Sequence, residues 1–295
     1  MRLARFFSVL VIIAVAAACD GGGGGSSSSD GSSSSAWSFT EDNVDFGITN
    51  IVSPEAVRLS DGSVRLYTTG EGAISVYTAA DGLTFSQTTA SPPMGSDPTL
   101  IQLSDGSWRM YYVDHASGSG EIKTATSPDG LTFTTEAATG ITNTTGTQAW
   151  GVPDTIALPD GSVRVYWVDT VSGSSSEVIR SAISTDGVTF TEESGYRTTG
   201  GYVDPVILKA EDGDWVALFS TGPGLGRQII YVGTSSDGLT WSIESSPVIT
   251  VSGGNALDPA AVDLGDGSYR VYYIATTGSD SFSGFYLSSG VLARR

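Results

Sequence analysis

The sequence has one cysteine, one histidine and few basic residues, and these shortages exclude several classes of protein. Because Cys19 is the only cysteine, a monomer has no internal disulfide. Lysine and arginine total 14 against 32 acidic residues, which gives a net charge of −18. That balance argues against nucleic acid, whose phosphates need clustered basic side chains, and against other anionic partners. No helical periodicity of useful length appears, which argues against a helical protein.

The N-terminus has the features of an export signal. Arg2 and Arg5 precede the apolar run Phe6 to Ala18, which is too short to span a bilayer as a helix. Ala16-Ala17-Ala18-Cys19 resembles the cleavage box of bacterial lipoproteins, with Ala16 where that box usually has leucine. An ordinary signal cut near Ala18 is the alternative. Since an unpaired exported thiol is best explained as a lipid attachment point, we predict a signal peptide over 1–18 and lipidation of Cys19.

Residues 20–35 read DGGGGGSSSSDGSSSS, a composition that cannot bury a core and behaves as flexible coil. Residues 19–35 are therefore interpreted as a lipidated tether. Several acyl chains at one cysteine give stable anchoring. We expect a lipid-anchored protein of the bacterial cell envelope that faces the periplasm or the exterior and touches the membrane only through its N-terminal lipid.

Residues 36–295 contain a fivefold repeat in which an apolar strand, a D-G turn and an aromatic-rich strand follow one another. The units start at PEAVRLSDGSVRLYT (54–68), DPTLIQLSDGSWRMYYV (97–113), PDTIALPDGSVRVYWV (153–168), DPVILKAEDGDWVALFS (204–220) and DPAAVDLGDGSYRVYYI (258–274). Four units close on a second D-G turn, in TAADGLTF (78–85), TSPDGLTF (126–133), STDGVTF (184–190) and TSSDGLTW (234–241). Asp-Gly between such runs is a strong hairpin signal. The pattern predicts an all-β, five-bladed β-propeller of four-stranded antiparallel blades.

The fifth unit ends without a fourth strand, and AWSFTED (36–42) resembles the close of a unit although no unit precedes it. We therefore predict that this N-terminal segment forms the outer strand of the last blade and closes the ring. Without it, the fifth blade keeps an open edge.

Features that recur in register are interpreted as structural. Four blades share an arginine in the second strand, at Arg65, Arg109, Arg164 and Arg270, which we expect to brace the blades. The S-x-D-G-x-T-aromatic turns, best seen at Ser235 to Trp241, resemble the Asp-box of sialidases with one residue fewer between Asp and Gly. Trp108 and Trp167 also occupy repeat positions and are expected in the core.

Each blade begins with an acid near a proline, and first strands line the channel of a propeller. Aligned on the D-G turns, these acids fall into two tiers. Asp97, Asp204 and Asp258 precede their prolines, whereas Glu55 and Asp154 follow theirs by one residue. Two residues along a strand keep the same face, about 7 Å further on. The five carboxylates are therefore expected to converge at one mouth.

Five blades with acids at the first strands resemble glycoside hydrolase families 43 and 32. The resemblance implies that Glu55 is the base or nucleophile, that Asp97 orients the substrate or tunes a pKa, and that Asp154 is the general acid. Glycosidic cleavage needs one protonated and one ionised carboxyl, and crowded carboxylates raise at least one pKa. The chain lacks the W-x-N-D-P-N and R-D-P motifs of these families and has Asp154 where they have Glu.

Two alternatives stay open for the acids. They could hold strand starts together, since Asp-Pro is an ordinary turn pair, or either tier could hold Ca²⁺ through its oxygens. If the protein is a glycoside hydrolase, no cofactor is required.

Other candidates are expected near the same mouth, where second strands end. His115, next to Asp114, and Asp169 follow such strands. Trp150 lies outside the repeat register and either stacks on a sugar or fills a blade junction. Arg227, in the loop STGPGLGRQ (220–228), either binds an acidic substrate or forms a local salt bridge.

Two functions follow from this pattern. One is a surface carbohydrate-active propeller, glycoside hydrolase-like, acting through carboxylates at the channel mouth. The other is a non-catalytic propeller that binds carbohydrate or protein. We expect a monomer with a carbohydrate ligand and no nucleic acid.

Overall fold

The computed structural model describes residues 35–295, except positions 117, 119, 148, 149, 172, 212 and 279–283, and only the backbone at 210 and 211. The predicted signal peptide, Cys19 and residues 20–34 of the tether lie outside the described residues. The regular structure consists of 20 strands and one 3-10 helix, η1 (Pro223–Leu225). Within the described residues, no helix is long and apolar enough to cross a membrane.

The strands form five sheets of four antiparallel strands, which confirms the predicted propeller. Blade 1 contains β2 (Val52–Arg58), β3 (Val64–Gly70), β4 (Ala73–Ala79) and β5 (Ser86–Gln87). Blade 2 contains β6 (Ser96–Gln102), β7 (Trp108–Asp114), β8 (Glu121–Ser127) and β9 (Thr134–Thr142). Blade 3 contains β10 (Gly151–Ala157), β11 (Val163–Thr170), β12 (Glu177–Ser184) and β13 (Thr191–Glu192). Blade 4 contains β14 (Tyr202–Glu211), β15 (Asp214–Thr221), β16 (Ile230–Ser235) and β17 (Ser242–Ile243). Blade 5 contains β18 (Ala256–Asp263), β19 (Ser268–Ala275), β20 (Tyr286–Arg294) and, at its outer edge, β1 (Trp37–Glu41).

The N-terminal strand closes the ring as predicted. β1 pairs antiparallel with β20 from Trp37 opposite Arg294 to Glu41 opposite Gly290. The Trp37 ring is buried and lies 6.3 Å from that of Tyr269. The end of β1 is held by Glu41, whose carboxylate accepts a hydrogen bond from the Tyr273 hydroxyl at 2.8 Å. The last blade therefore has a paired outer edge on β20 instead of an open one.

The repeated tyrosine of the second strands, with the arginine beside it, connects four of the five blades to the next. In blade 1, Arg65 Nη1 donates to Asp129 O at 2.6 Å and the Tyr67 hydroxyl donates to Gly130 O at 2.7 Å. Both acceptors lie in the D-G turn between the third and fourth strands of blade 2. Equivalent tyrosine bonds join blade 2 to 3, blade 3 to 4 and blade 5 to 1, from Tyr111, Tyr166 and Tyr272. The arginines thus brace neighbouring blades, although Arg270 pairs with the Asp42 carboxylate instead of a turn carbonyl.

Blade 4 lacks this connection for a topological reason. Its neighbour, blade 5, has no turn before its outer strand, because that strand comes from the N-terminus. The positions equivalent to Arg65 and Tyr67 are Val216 and Leu218, and both are fully buried in one apolar cluster with Trp37. Because blade 5 has no turn carbonyls to accept hydrogen bonds here, blade 4 has apolar side chains where the other blades have the donating arginine and tyrosine. We call this junction the seam.

Candidate functional site

Each innermost strand contains a β-bulge at an X-Pro pair, and these bulges form the channel. The pairing register shifts there in all five blades. The residue before proline has a positive φ in every case, between 43° and 51°, at Ser53, Asp97, Val152, Asp204 and Asp258. Non-glycine residues rarely adopt this conformation, so five of them indicate positions held by surrounding structure. The bulges re-aim the X side chains at the mouth of the channel.

The upper tier is a chain of hydrogen bonds around the ring. Asp258 N–H donates to Asp204 Oδ2 at 3.3 Å, and Ser53 N–H donates to Asp258 Oδ2 at 2.9 Å. The Ser53 hydroxyl donates to Asp97 Oδ1 at 2.7 Å. Asp97 N–H in turn donates to the Thr69 hydroxyl at 2.8 Å. The upper acids therefore do link strand starts of successive blades, which was one of the two alternatives for them.

Asp204 and Asp258 form a buried pair of carboxyl groups. Their carboxyl groups are hydrogen-bonded to each other and both are buried. Burial raises the pKa of Asp204 to about 6. Burial, and then the charge of Asp204, raises the pKa of Asp258 well above its usual range. Two close carboxyls that cannot both ionise behave in this way.

The lower tier, Glu55 and Asp154, lies deeper in the channel. Glu55 Oε1 accepts the Leu100 N–H of blade 2 at 3.1 Å, and Asp154 Oδ2 accepts the Ile207 N–H of blade 4 at 2.7 Å. Burial, and then the charge of Asp154, raises the pKa of Glu55, and burial raises the pKa of Asp154 to about 7. The free volume between the two tiers is about 20 Å³, which is room for one water molecule and not for a sugar ring.

A larger pocket of about 380 Å³ opens above the upper tier, and we call it the mouth pocket. Its walls include Asp97, His115, Trp150, Glu177, Asp204 and Asp258. Of the predicted acids, only the three upper aspartates reach it. Its volume lies in the range of sites for small ligands.

Glu177, at the start of β12, was not predicted from the sequence. Its side chain is only 8% exposed, and no hydrogen bond or ion pair satisfies its carboxylate within the described part of the chain. Burial raises its pKa above the ordinary value. The carboxylate approaches the backbone of blade 4 so closely that a Cβ on Gly222 would lie 1.7 Å from Oε2. The repeat gives no signal for this placement, because the equivalent position in blade 2 is Gly120, whereas Glu121 is equivalent to Val178.

His115 and Trp150 both lie at the mouth pocket, in different ways. His115 is exposed, and its Nε2 lies 2.9 Å from the Ser96 hydroxyl, which itself donates to Asp97 Oδ2 at 3.1 Å. Trp150 is only 5% exposed and belongs to the core cluster between blades 2 and 3. It therefore fills a blade junction with one edge on the pocket, and offers no ring face for stacking.

Two candidates lie away from the mouth pocket. Asp169 was expected there because it ends a second strand. Instead it is buried in an ion pair with Arg180 Nε at 2.7 Å and accepts the Thr145 hydroxyl at 2.7 Å. Arg227 lies in the loop that borders the pocket, but its side chain is exposed and does not line it. Its neighbour Gln228 does.

No group of three or more His, Cys, Asp or Glu side chains has a geometry that could hold a metal ion among the residues that the structure describes. The crowded channel acids accept backbone N–H groups of other blades, as Asp258 does from Ser53 and Asp154 does from Ile207. The prediction that either tier could hold Ca²⁺ stays a prediction.

The fold is similar to those of several solved glycoside hydrolases. A thermostable family-43 glycoside hydrolase shares 16% identity over 85% of this chain and 91% of its own, with a TM-score of 0.68. An α-L-arabinofuranosidase from Lactobacillus brevis shares 13% identity over 85% and 93% of the two chains, with a TM-score of 0.66. An endo-1,4-β-xylanase from Bacteroides thetaiotaomicron shares 15% identity over 86% and 97%, with a TM-score of 0.63. No protein-family model and no curated protein matches the sequence. The chain thus has the glycoside hydrolase-like β-propeller fold.

Proposed function

We propose that the protein hydrolyses a glycosidic bond in the mouth pocket, with Glu177 as general acid and Asp97 as base or nucleophile. The observation that carries this proposal is the buried, unpartnered carboxyl of Glu177 in a pocket that also exposes Asp97. A carboxyl with a raised pKa and no competing hydrogen bond is suited to protonate a leaving-group oxygen. Likeness of fold to glycoside hydrolases supports the reaction class.

Asp97 is positioned for the second role by its neighbours. Hydroxyls of Ser53 and Ser96 donate to its two carboxylate oxygens, at 2.7 and 3.1 Å. Such donors fix the orientation of a carboxylate. His115, next to Ser96, extends this network to the surface and acts as a positioning residue.

Glu55 and Asp154, the acids that the family resemblance assigns to chemistry, receive a supporting role here. They lie where only a water fits, and each accepts a backbone N–H of another blade. Through these bonds Glu55 joins blade 1 to blade 2 and Asp154 joins blade 3 to blade 4 inside the channel.

The test is sugar release by the full-length chain from a panel of arabinan, xylan, fructan and mannan oligosaccharides, with calcium and with chelator. We expect Glu177→Gln and Asp97→Asn to lower the rate by about 10²-fold or more. Asp45→Asn serves as the matched control, because Asp45 is exposed and lies outside the mouth pocket. Folding of each variant is checked by its thermal unfolding.

A non-catalytic binding module is the second candidate, favoured by the structural use of the channel acids. Asp154, Asp204, Asp258 and Glu55 all accept backbone N–H groups of other blades. Absence of release across the whole panel, with bound oligosaccharide detected by calorimetry, selects this candidate. Release that survives in Glu177→Gln but disappears in Glu55→Gln or Asp154→Asn would instead support the catalytic roles that the family resemblance implies for Glu55 and Asp154.

We further propose that this domain is held at the cell envelope by a lipid on Cys19. The signal-like N-terminus, the single cysteine and the Gly/Ser tract that follows support this proposal. Metabolic labelling with palmitate and membrane fractionation of the Cys19→Ser variant test it. Loss of both label and membrane association is expected, and a membrane fraction unchanged by the substitution contradicts the proposal.

A further inference from the structure

A second pocket, of about 260 Å³, lies at the junction between blades 3 and 4 and shares no lining residue with the mouth pocket. Its walls include Tyr196, Arg197, Thr198, Thr240 and Trp241. The first three belong to the segment that links β13 to β14, and the last two belong to the turn between β16 and β17. We call it the Arg197 pocket.

Arg197 is a buried cation without an acid. Its side chain is 6% exposed, and Nη2 donates to the Ser194 carbonyl. The two acids nearest in sequence are engaged elsewhere, since Glu192 pairs with Arg180 and Glu193 with Arg164. No ion pair joins Arg197 to a carboxylate within the described residues. A buried charge that lacks a partner is costly unless a counter-ion is supplied.

Other hydrogen-bond donors at this pocket are also unsatisfied. Arg197 Nε, Thr198 Oγ1 and Trp241 Nε1 have no hydrogen-bond partner among the described residues. All three can donate, and the guanidinium and the indole can only donate. They lie just beneath the pocket wall, so Nη1 of Arg197 is the terminal nitrogen left to meet a ligand directly. Because Arg197 Nη1 can only donate, this pocket suits a ligand that brings an acceptor oxygen.

The remaining walls suit one face of a sugar ring. Tyr196 is one of the few large apolar side chains that are exposed, and the Arg180 guanidinium carbon lies 5.1 Å from its ring centroid. Trp241 is partly buried opposite the threonine hydroxyls. Aromatic rings pack against apolar sugar faces, whereas hydroxyls bind the sugar rim.

We propose that the Arg197 pocket binds a carboxylate-bearing sugar, a hexuronate, with its carboxylate on the Arg197 guanidinium. Nη1 can donate one charge-assisted hydrogen bond to a carboxylate oxygen, and the guanidinium supplies the opposite charge. The site is separate from the mouth pocket and does not depend on the proposed hydrolysis. It gives an otherwise strongly acidic chain a local affinity for acidic glycans.

The experiment is calorimetric titration of the full-length chain with galacturonate and glucuronate, compared with galactose, glucose and inorganic phosphate. We expect a hexuronate to bind about ten-fold or more tightly than the neutral sugar of the same configuration and than phosphate. Equal binding of phosphate indicates a simple anion site and overturns the sugar assignment. Absence of hexuronate binding overturns the proposal altogether.

Variants locate the site. Arg197→Lys keeps the charge but replaces the planar guanidinium, which Nη2 anchors to the Ser194 carbonyl, with an ammonium group, and we expect about ten-fold weaker binding. Arg197→Met is compared with Arg58→Met, which removes an exposed arginine of blade 1 and changes the net charge equally. If Arg197→Met does not fold, Tyr196→Ala removes an exposed ring of the same pocket and should also weaken binding. Binding that survives in Arg197→Lys and Tyr196→Ala but is lost in Asp97→Asn places the ligand in the mouth pocket and overturns the proposal.

Discussion

The Ser53 N–H donates to Asp258 Oδ2 across 2.9 Å, although the two residues lie 205 positions apart in the chain. This bond joins the innermost strand of blade 1 to that of blade 5, so the ring is closed at its centre as well as at its rim. The acceptor is a carboxyl whose pKa is raised well above its usual range by burial and then by the charge of Asp204. The closure of the fold and the charge state of the candidate site are therefore linked.

The first prediction concerns pH and stability. Raised pKa values mean that the folded protein binds protons on Glu55, Asp154, Asp204 and Asp258 more tightly than the unfolded chain does. These groups contribute their whole stabilisation to the free energy of unfolding when the pH is near or below the pKa of an ordinary carboxyl group, about 4. It is lost as the pH rises through about 6 for Asp204 and about 7 for Asp154. The thermal midpoint should fall between pH 5 and pH 8.

Asp154→Asn tests this interpretation, because the amide keeps an acceptor for the Ile207 N–H and removes the charge. The midpoint of this variant should fall less between pH 5 and pH 8 than that of the wild type. Few other groups titrate there, since the chain has one histidine and one cysteine. Asp45→Asn should follow the wild type. A wild-type midpoint that is flat or rises with pH contradicts the prediction.

The second prediction concerns the seam. Trp37→Ala removes a buried side chain that packs against Tyr269 and shares a cluster with Val216 and Leu218, and we expect a loss of about 3–5 kcal/mol in the free energy of unfolding. Because β1 then pairs less firmly, the edge of β20 becomes available to other chains. Light scattering should show self-association that increases with concentration.

Trp108→Ala is the matched control for the seam. Trp108 is also buried, but it lies in the second strand of blade 2. Its removal should lower stability by a similar amount without self-association. If both variants associate equally, loss of core packing and not the exposed edge is responsible.

The third prediction concerns the bonds between blades. Tyr67→Phe leaves the Gly130 carbonyl without its hydroxyl donor, and we expect a loss of about 1–3 kcal/mol. Tyr77→Phe is the control, since the Tyr77 hydroxyl has no hydrogen-bond partner among the described residues, and it should change stability little. Leu218→Tyr should destabilise, because no turn carbonyl faces that position across the seam. Urea unfolding measures all three variants. If Leu218→Tyr stabilises the protein, the apolar residues at the seam are not explained by the missing turn carbonyls.

The sequence predicts the fold so completely because every level of the repeat agrees. The D-G turns set the hairpins, and the early AWSFTED segment supplies the strand that the fifth unit lacks. Asp97, Asp204 and Asp258 could be assigned to the mouth because each follows the repeat register. The absence of arginine from blade 4 has a reason only once the topology is known.

The other residues of the two pockets could not be predicted, because their positions depend on how neighbouring blades pack together. A local sequence pattern carries no information about that packing. Glu177 and Asp169 lie at the facing ends of one hairpin of blade 3, yet only Glu177 lines the mouth pocket. Asp169 instead forms an ion pair with Arg180 on the neighbouring strand. Arg197 lies in a connecting segment outside the repeat, so its burial could not be inferred from periodicity.

The fourth prediction concerns the chemistry assigned to Glu177. As a general acid it must be protonated, so hydrolysis should decrease as the pH rises through its raised pKa. Glu177→Gln cannot donate a proton, and its remaining activity should lose this alkaline decrease. The defect should be large, about 10²-fold or more, for sugars with poor leaving groups and much smaller for an aryl glycoside whose phenolate leaves unaided. Steady-state rates on the two substrate types across pH measure both effects. A Glu177→Gln variant that slows both substrates equally, with the wild-type pH profile, would show that Glu177 positions the substrate and that another carboxyl of the mouth pocket donates the proton.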